Sequence, residues 1–162
     1  MNVPASLKAL SCYIKRAEEL DRDTLNPDSK VVAYYCRQYA MEKGIKVADR
    51  SPDVNKFLMD LMAQLEAAKA SIITTPQEER KVVCENFSYE VFTKADEEDR
   101  NGLATKATAR SFYAAGSFFD ILELFGDLSS DVCVLQIATV LTLNDVCFRC
   151  GTGTREASLC KI

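Results

Sequence analysis

Val54, Phe57, Leu58, Leu61, Leu65, Ala68 and Ile72 recur at steps of three and four along one stretch of this chain. That spacing keeps one side of an α-helix apolar over about five turns, and no strand presents it. Ser51-Pro52-Asp53 stands just ahead of it. A hydroxyl at the cap, proline at the first helical position and an acid in the first turn all mark a helix start. The stretch is thus committed to a helix that must bury one face against something else.

The rest of the chain repeats this pattern. Leu7, Leu10, Ile14, Ala17 and Leu20 share one helical face, and Lys8, Lys15, Arg16, Glu18 and Glu19 fill the other. Asn26-Pro27-Asp28-Ser29 is a turn, from which Ser29 is expected to cap a second helix. That helix carries Val32, Tyr35, Cys36, Tyr39 and Ala40, and Gly44 suits its C-terminal end. After the third helix, Thr75-Pro76-Gln77-Glu78 has the spacing of a capping box. A fourth helix follows on a stripe of Val83, Phe87 and Val91, broadened by Cys84, Phe92 and Ala95, and ends at Asn101-Gly102. A fifth runs through Ala107, Phe112, Phe119, Leu122 and Phe125 to Gly126. It carries Gly116 inside it, for which a close helix crossing is the expected reason. No segment sustains a two-residue alternation, so the expected fold class is all-α, with short loops joining antiparallel neighbours.

Three helices up to about residue 73 and two or three more beyond it read as two small helical modules joined at residues 73–76. Residues 1–73 hold 11 Lys and Arg against 10 Asp and Glu, whereas residues 74–130 hold 6 against 11. The second module is therefore net −5 and suited to a basic partner.

Composition removes several function classes. The 162 residues contain no His, which excludes a Ser-His-Asp triad, a Cys-His pair and His-ligated metal. The 6 Gly form neither a GxGxxG nor a phosphate-binding loop. A net charge of −4 gives no drive toward nucleic acid. No unbroken apolar region follows Met1, so no secretory signal is expected and the 7 Cys read as reduced cytosolic thiols. Asp96-Glu97-Glu98-Asp99 spreads four carboxylates around a helix instead of converging them, the pattern of a solvated helix end. No catalytic residue, metal or cofactor is expected. A small helical cytosolic enzyme or metal carrier built on the carboxylates or thiols is the competing class, and metal analysis of the purified protein discriminates the two.

Three stretches carry a resemblance. Residues 31–44 (VVAYYCRQYAMEKG), 57–66 (FLMDLMAQLE) and 92–102 (FTKADEEDRNG), the last followed by Ser111-Phe112-Tyr113-Ala114-Ala115, resemble the Vta/LIP family. These are the vacuolar protein sorting-associated Vta-one homologues, also called LYST-interacting protein five. The likeness runs from about residue 5 to 133. It implies two packed MIT-like three-helix modules, about six to seven helices, at 1–73 and 74–133. It further implies a non-enzymatic adaptor of the endosomal ESCRT pathway, cytoplasmic and peripheral on endosomes. Its partners would be the C-terminal tails of ESCRT-III subunits, the charged multivesicular body proteins, for multivesicular body sorting. The vacuolar-sorting AAA ATPase would be engaged only through a separate C-terminal domain beyond a long linker.

The resemblance also points to a peptide-binding groove on the first module. Met62 and Leu65 match positions that contact an ESCRT-III tail, and Asp60 and Glu66 are expected to flank them and pair with Lys or Arg of the tail. The stripe alone would place Met62 and Leu65 in the core.

Past Cys133 the sequence leaves the family pattern. Only 6 of the last 32 residues are charged, against 38 of the first 130. Residues 134–162 are read as a divergent tail, a last helix plus a disordered end, from an alternative or out-of-frame transcript unable to engage the ATPase. A single exon covering this boundary in the family frame would count against that. Residues 132–143 are too short to span a bilayer, so no direct membrane insertion is expected. Cys147-x-x-Cys150 is one close pair beside Cys133 and Cys160, whereas structural zinc commonly takes two, so unpaired thiols are expected.

Overall fold

In the computed structural model every regular element among the described residues is helical. The described residues are 2–126, 132, 134–140 and 142. The zinc candidates Cys133, Cys147, Cys150 and Cys160, and the expected disordered end, lie outside them. A 3-10 turn, Ala5–Leu10, leads into α1 (Ser11–Asp21). Then come α2 (Asp28–Lys46), α3 (Pro52–Ile72), α4 (Gln77–Arg100) and α5 (Lys106–Asp120), with a second 3-10 turn at Ile121–Phe125. Residues 134–140 are again helical.

The chain divides into two compact units between Val83 and Cys84, inside α4. Residues 73–76, the expected junction, are where α3 gives way to α4. The first turns of α4 belong with the first unit: the Arg80 guanidinium lies over the Tyr35 ring, 6.0 Å from its centroid.

In the first unit, α2 is the central element, packed against both α1 and α3. Leu7, Leu10, Ile14, Ala17 and Leu20 are all buried, as are Val32, Tyr35, Cys36, Tyr39 and Ala40. Tyr13 and Tyr39 meet at a tilt, with 4.7 Å between ring centroids. From α3, Val54, Phe57, Leu61 and Ile72 enter the core. Pro52 begins α3 as expected with Ser51 at the cap position, but the Ser51 hydroxyl makes no capping hydrogen bond to the helix and turns to Asp49 instead.

Two expectations about α2 are corrected. Ser29 does not cap it. The helix starts at Asp28, and the buried Ser29 hydroxyl donates to Asp23 Oδ2 at 2.7 Å. Asp23 Oδ1 accepts the Leu25 backbone N–H at 3.0 Å, so this carboxylate organises the whole turn. The Ser29 hydroxyl first, and the Leu25 N–H next, hold the Asp23 carboxyl below its ordinary range. Nor does Gly44 end the helix, which continues to Lys46. A Cβ on Gly44 would lie 2.9 Å from Leu58 Cδ2 and 3.5 Å from Leu10 Cδ1, so glycine is there because α3 comes close. The C-terminal carbonyls of α2 are satisfied by Arg50, whose guanidinium donates to the carbonyls of Ile45 and Val47 at 2.7 Å each.

In the second unit the buried line of α4 is Cys84, Ser88 and Ala95, rotated one residue from the expected Val83–Phe87–Val91 stripe, whose members are half-buried. Small residues at the centre let a neighbouring helix approach, and the large side chains close over the flanks. Phe87 meets Phe118 edge-on at 5.2 Å, and Phe92 meets Phe112 at 5.8 Å. Gly102 has φ +70, and the Leu103 N–H returns to the Glu98 carbonyl, closing α4 as a left-handed glycine does.

A capping box is found at α5. Thr105 Oγ1 accepts the backbone N–H groups of Ala107 and Thr108, and Thr108 Oγ1 accepts from Thr105 N. Thr108 in turn donates to Glu98 at 2.7 Å. Glu98 therefore holds a buried hydroxyl and is not merely part of a solvated helix end. The long fifth helix is an α-helix to Asp120 and a 3-10 turn beyond. Gly116 faces Thr139 of the last helical stretch: a Cβ on it would lie 3.7 Å from Thr139 Cγ2, so a helix does cross it, at ordinary contact distance.

Candidate partner-binding faces

α3 carries the four residues singled out in the sequence, and its geometry sorts them into two sets. Successive residues turn by about 100°, so Asp60 and Met62 stand roughly 160° apart around the axis. Met62 is 52% exposed and Leu65 half-buried at its side. Glu66, exposed and next to Met62 around the helix, reaches Lys69 at 3.5 Å. These three share a flank. Asp60 lies on the other.

The sequence reading missed Met59. It is 71% exposed and sits one turn before Met62. The two thioethers form an apolar strip at i and i+3. Met59 lies inside the 57–66 stretch that carries the resemblance, and its exposure, like that of Met62, shows only in the structure.

The Asp60 flank borders an open channel of about 860 Å³ between α1 and α3. Glu18 and Asp21 line it from α1, Arg37 from α2, and Asp60, Ala63 and Ala67 from α3. Arg37 lies at its base. Its guanidinium donates to the Asp21 carboxylate and, through Nε, to Gln64 Oε1 at 3.0 Å. Three helices are thereby tied by one side chain. Asp60 also lines a smaller cavity of about 330 Å³ with Pro4, Lys56 and Phe57.

The three described thiols are buried. Cys36 is fully buried and its thiol is pushed up to about 12 by that burial, Arg37 and Arg16 notwithstanding. Cys12 and Cys84 are buried too. Among the described residues no group of three His, Cys, Asp or Glu side chains could hold a metal ion, and no helix is long and apolar enough to cross a membrane.

Residues 9–141 match the family model described as Vta1 like. The chain belongs to the Vta1-like family. Among its curated relatives, an Arabidopsis thaliana homologue of mammalian LYST-interacting protein 5 is 44% identical over 133 residues, which is 81% of this chain and 30% of that protein. The human vacuolar protein sorting-associated protein VTA1 homologue is 36% identical, over 80% of this chain and 42% of that one. The chain thus spans less than half the length of these relatives. The NMR structure of the Vta1–Vps60 complex superposes with a TM-score of 0.73 at 15% identity, covering 88% of this chain and 97% of that one. The Vta1-like fold is shared at that distance, and the helical architecture expected from the stripes is the family's.

Proposed function

We propose that this Vta1-like chain is a non-catalytic adaptor of the endosomal ESCRT pathway that binds the C-terminal tails of ESCRT-III subunits. The observation that carries this is Met62, an apolar side chain left half in solvent on a helix whose other apolar positions are mostly covered. An amphipathic tail helix lays anchors one turn apart against such a strip. Met59 and Met62 supply polarizable, adaptable contacts, and Leu65 the wall at their side. Glu66 offers its carboxylate to a Lys or Arg of the tail, exchanging its exposed pairing with Lys69. Asp60, on the opposite flank, takes no part in this contact.

The second unit provides another binding surface on the same chain. Two sites joined in one molecule raise the effective concentration on a polymer that displays many tails. The protein works in the cytoplasm, peripheral on endosomes, in multivesicular body sorting. Regulation of the vacuolar-sorting AAA ATPase is assigned to a separate C-terminal domain of the whole protein.

Calorimetric titration with ESCRT-III C-terminal peptides tests the reading. Wild type is expected to bind saturably, and Met62→Asp to weaken binding by roughly 2–4 kcal/mol, since a carboxylate would be desolvated against an apolar anchor. Unchanged affinity in a folded Met62→Asp variant overturns the assignment of this face.

A further inference from the structure

We propose that Asn101 is a site of spontaneous covalent modification, at which the side-chain amide is lost as ammonia and the resulting isoaspartate loosens the turn between α4 and α5. Gly102 follows Asn101, so no side chain shields the backbone nitrogen that must attack. Both residues are exposed and lie just past Arg100, the last residue of α4, where water reaches them. Among the described residues the Asn101 side chain has no hydrogen-bond partner, which leaves its amide free to turn toward that nitrogen.

The other asparagines lack this combination. No other Asn of the chain precedes a glycine. Asn26 precedes Pro27, whose nitrogen carries no proton to lose. Asn55 is held by the Arg50 carbonyl at 3.0 Å and precedes Lys56 inside α3. Asn86 precedes Phe87 in the body of α4.

The reaction balances with water alone. The Gly102 nitrogen gives up its proton and attacks the side-chain carbonyl carbon of Asn101. A new C–N bond closes a succinimide ring, and the amide nitrogen leaves with that proton as ammonia. Water then adds to one ring carbonyl and cleaves its bond to the ring nitrogen. Opening at the main-chain carbonyl gives isoaspartate, and opening at the side-chain carbonyl gives aspartate. The attack requires the Gly102 N–H to leave the Asp99 carbonyl, 3.0 Å away. That bond closes a helix end, where local opening costs least.

The consequence follows from how the turn is held. Glu98 accepts twice across it: its carbonyl takes the Leu103 N–H at 2.9 Å and its carboxylate the Thr108 hydroxyl at 2.7 Å. Isoaspartate adds a methylene to the main chain between Glu98 and Leu103, which puts the Leu103 N–H out of register. Either product also adds a carboxylate beside Asp96-Glu97-Glu98-Asp99, at the negative end of the α4 dipole.

To test this, the whole chain is incubated for days in mildly alkaline buffer. Peptide mass spectrometry follows conversion of each Asn to the acid. A protein isoaspartate methyltransferase with labelled S-adenosylmethionine counts the isoaspartate formed. The Asn101 peptide is expected to convert about tenfold or more faster than the Asn55 and Asn86 peptides. Asn101→Gln should remove most of the methyl label. Hydrogen exchange should show the Leu103 amide losing protection in incubated wild type and keeping it in incubated Asn101→Gln. The proposal is overturned by an unconverted Asn101 peptide, by conversion no faster than at Asn55 and Asn86, or by unchanged Leu103 exchange after conversion. Position 101 is exposed, and a thermal melt checks the fold of the variant. Should Asn101→Gln fail to fold, the wild-type conversion rates and Leu103 exchange decide alone.

Discussion

Asp60 and Met62, two residues apart in the chain, project from opposite flanks of α3. One borders the channel with Ala63 and Ala67, the other lies beside Leu65 and Glu66. A single tail helix on the Met62 flank therefore has no use for Asp60. Asp60→Asn is expected to leave ESCRT-III tail affinity within about twofold of wild type, whereas Glu66→Gln should weaken it modestly and in a salt-dependent way. Titrations at two ionic strengths distinguish these outcomes.

Gly44 tolerates one carbon and no more. Alanine gains about 1 kcal/mol of helix propensity over glycine, and the atom it meets at 2.9 Å is the free end of the half-buried Leu58. Gly44→Ala is expected to stay within about 1 kcal/mol of wild type. Gly44→Leu overpacks the α2–α3 contact and should cost roughly 1–3 kcal/mol in urea unfolding.

The Asp23 turn makes stability depend on acid. The Asp23 carboxyl is held below its ordinary value, so its contribution is complete above the unfolded pKa of about 3.9 and is lost as pH falls through the lower folded value. Asp49 acts in the same direction, held down first by the Ser6 hydroxyl and then by the Ser51 N–H. Asp23→Ala should lower the melting temperature at neutral pH and flatten its decline below pH of about 4. An equally steep decline in the variant would remove Asp23 from this role.

The buried thiols should be silent until the chain unfolds. Cys36 combines full burial with a thiol pushed up to about 12, so almost no thiolate forms at neutral pH. Iodoacetamide at mildly alkaline pH is expected to leave the peptide containing Cys36 unmodified, and to label it fully in guanidinium. Peptide mass spectrometry reads both states.

In the second unit, Phe112 is fully buried against Phe92, Ala95 and Ala109. Phe112→Ala should cost roughly 3–5 kcal/mol. Thr105→Ala removes the α5 cap and should cost about 1 kcal/mol. The two are measured by chemical unfolding, the first with loss of near-UV signal.

Helix number and order were legible because each helix buries a face at the 3.6-residue period. Val54, Phe57, Leu61 and Ile72 read directly from the chain and are buried. What stayed hidden depends on partners distant in sequence. Gly44 looks like a terminator locally, and only the approach of Leu58 shows why it is glycine inside a helix. Ser29 has the chemistry of a cap but is drawn to Asp23. On α4 the larger side chains suggested the buried centre, whereas the contact is made by Cys84, Ser88 and Ala95. At the site, the stripe could not tell half-exposed Met62 from buried Leu61, and the resemblance to the Vta/LIP family singled Met62 out. The channel was invisible, since Glu18, Arg37 and Asp60 come from three different helices.

Met59 and Met62 leave their sulfur atoms where peroxide can reach them. Oxidation would turn each thioether into a polar sulfoxide while the packed interior stays untouched. Aged protein would then melt normally and yet bind the proposed ESCRT-III tails poorly. A reductase that restores methionine, not refolding, would be the remedy.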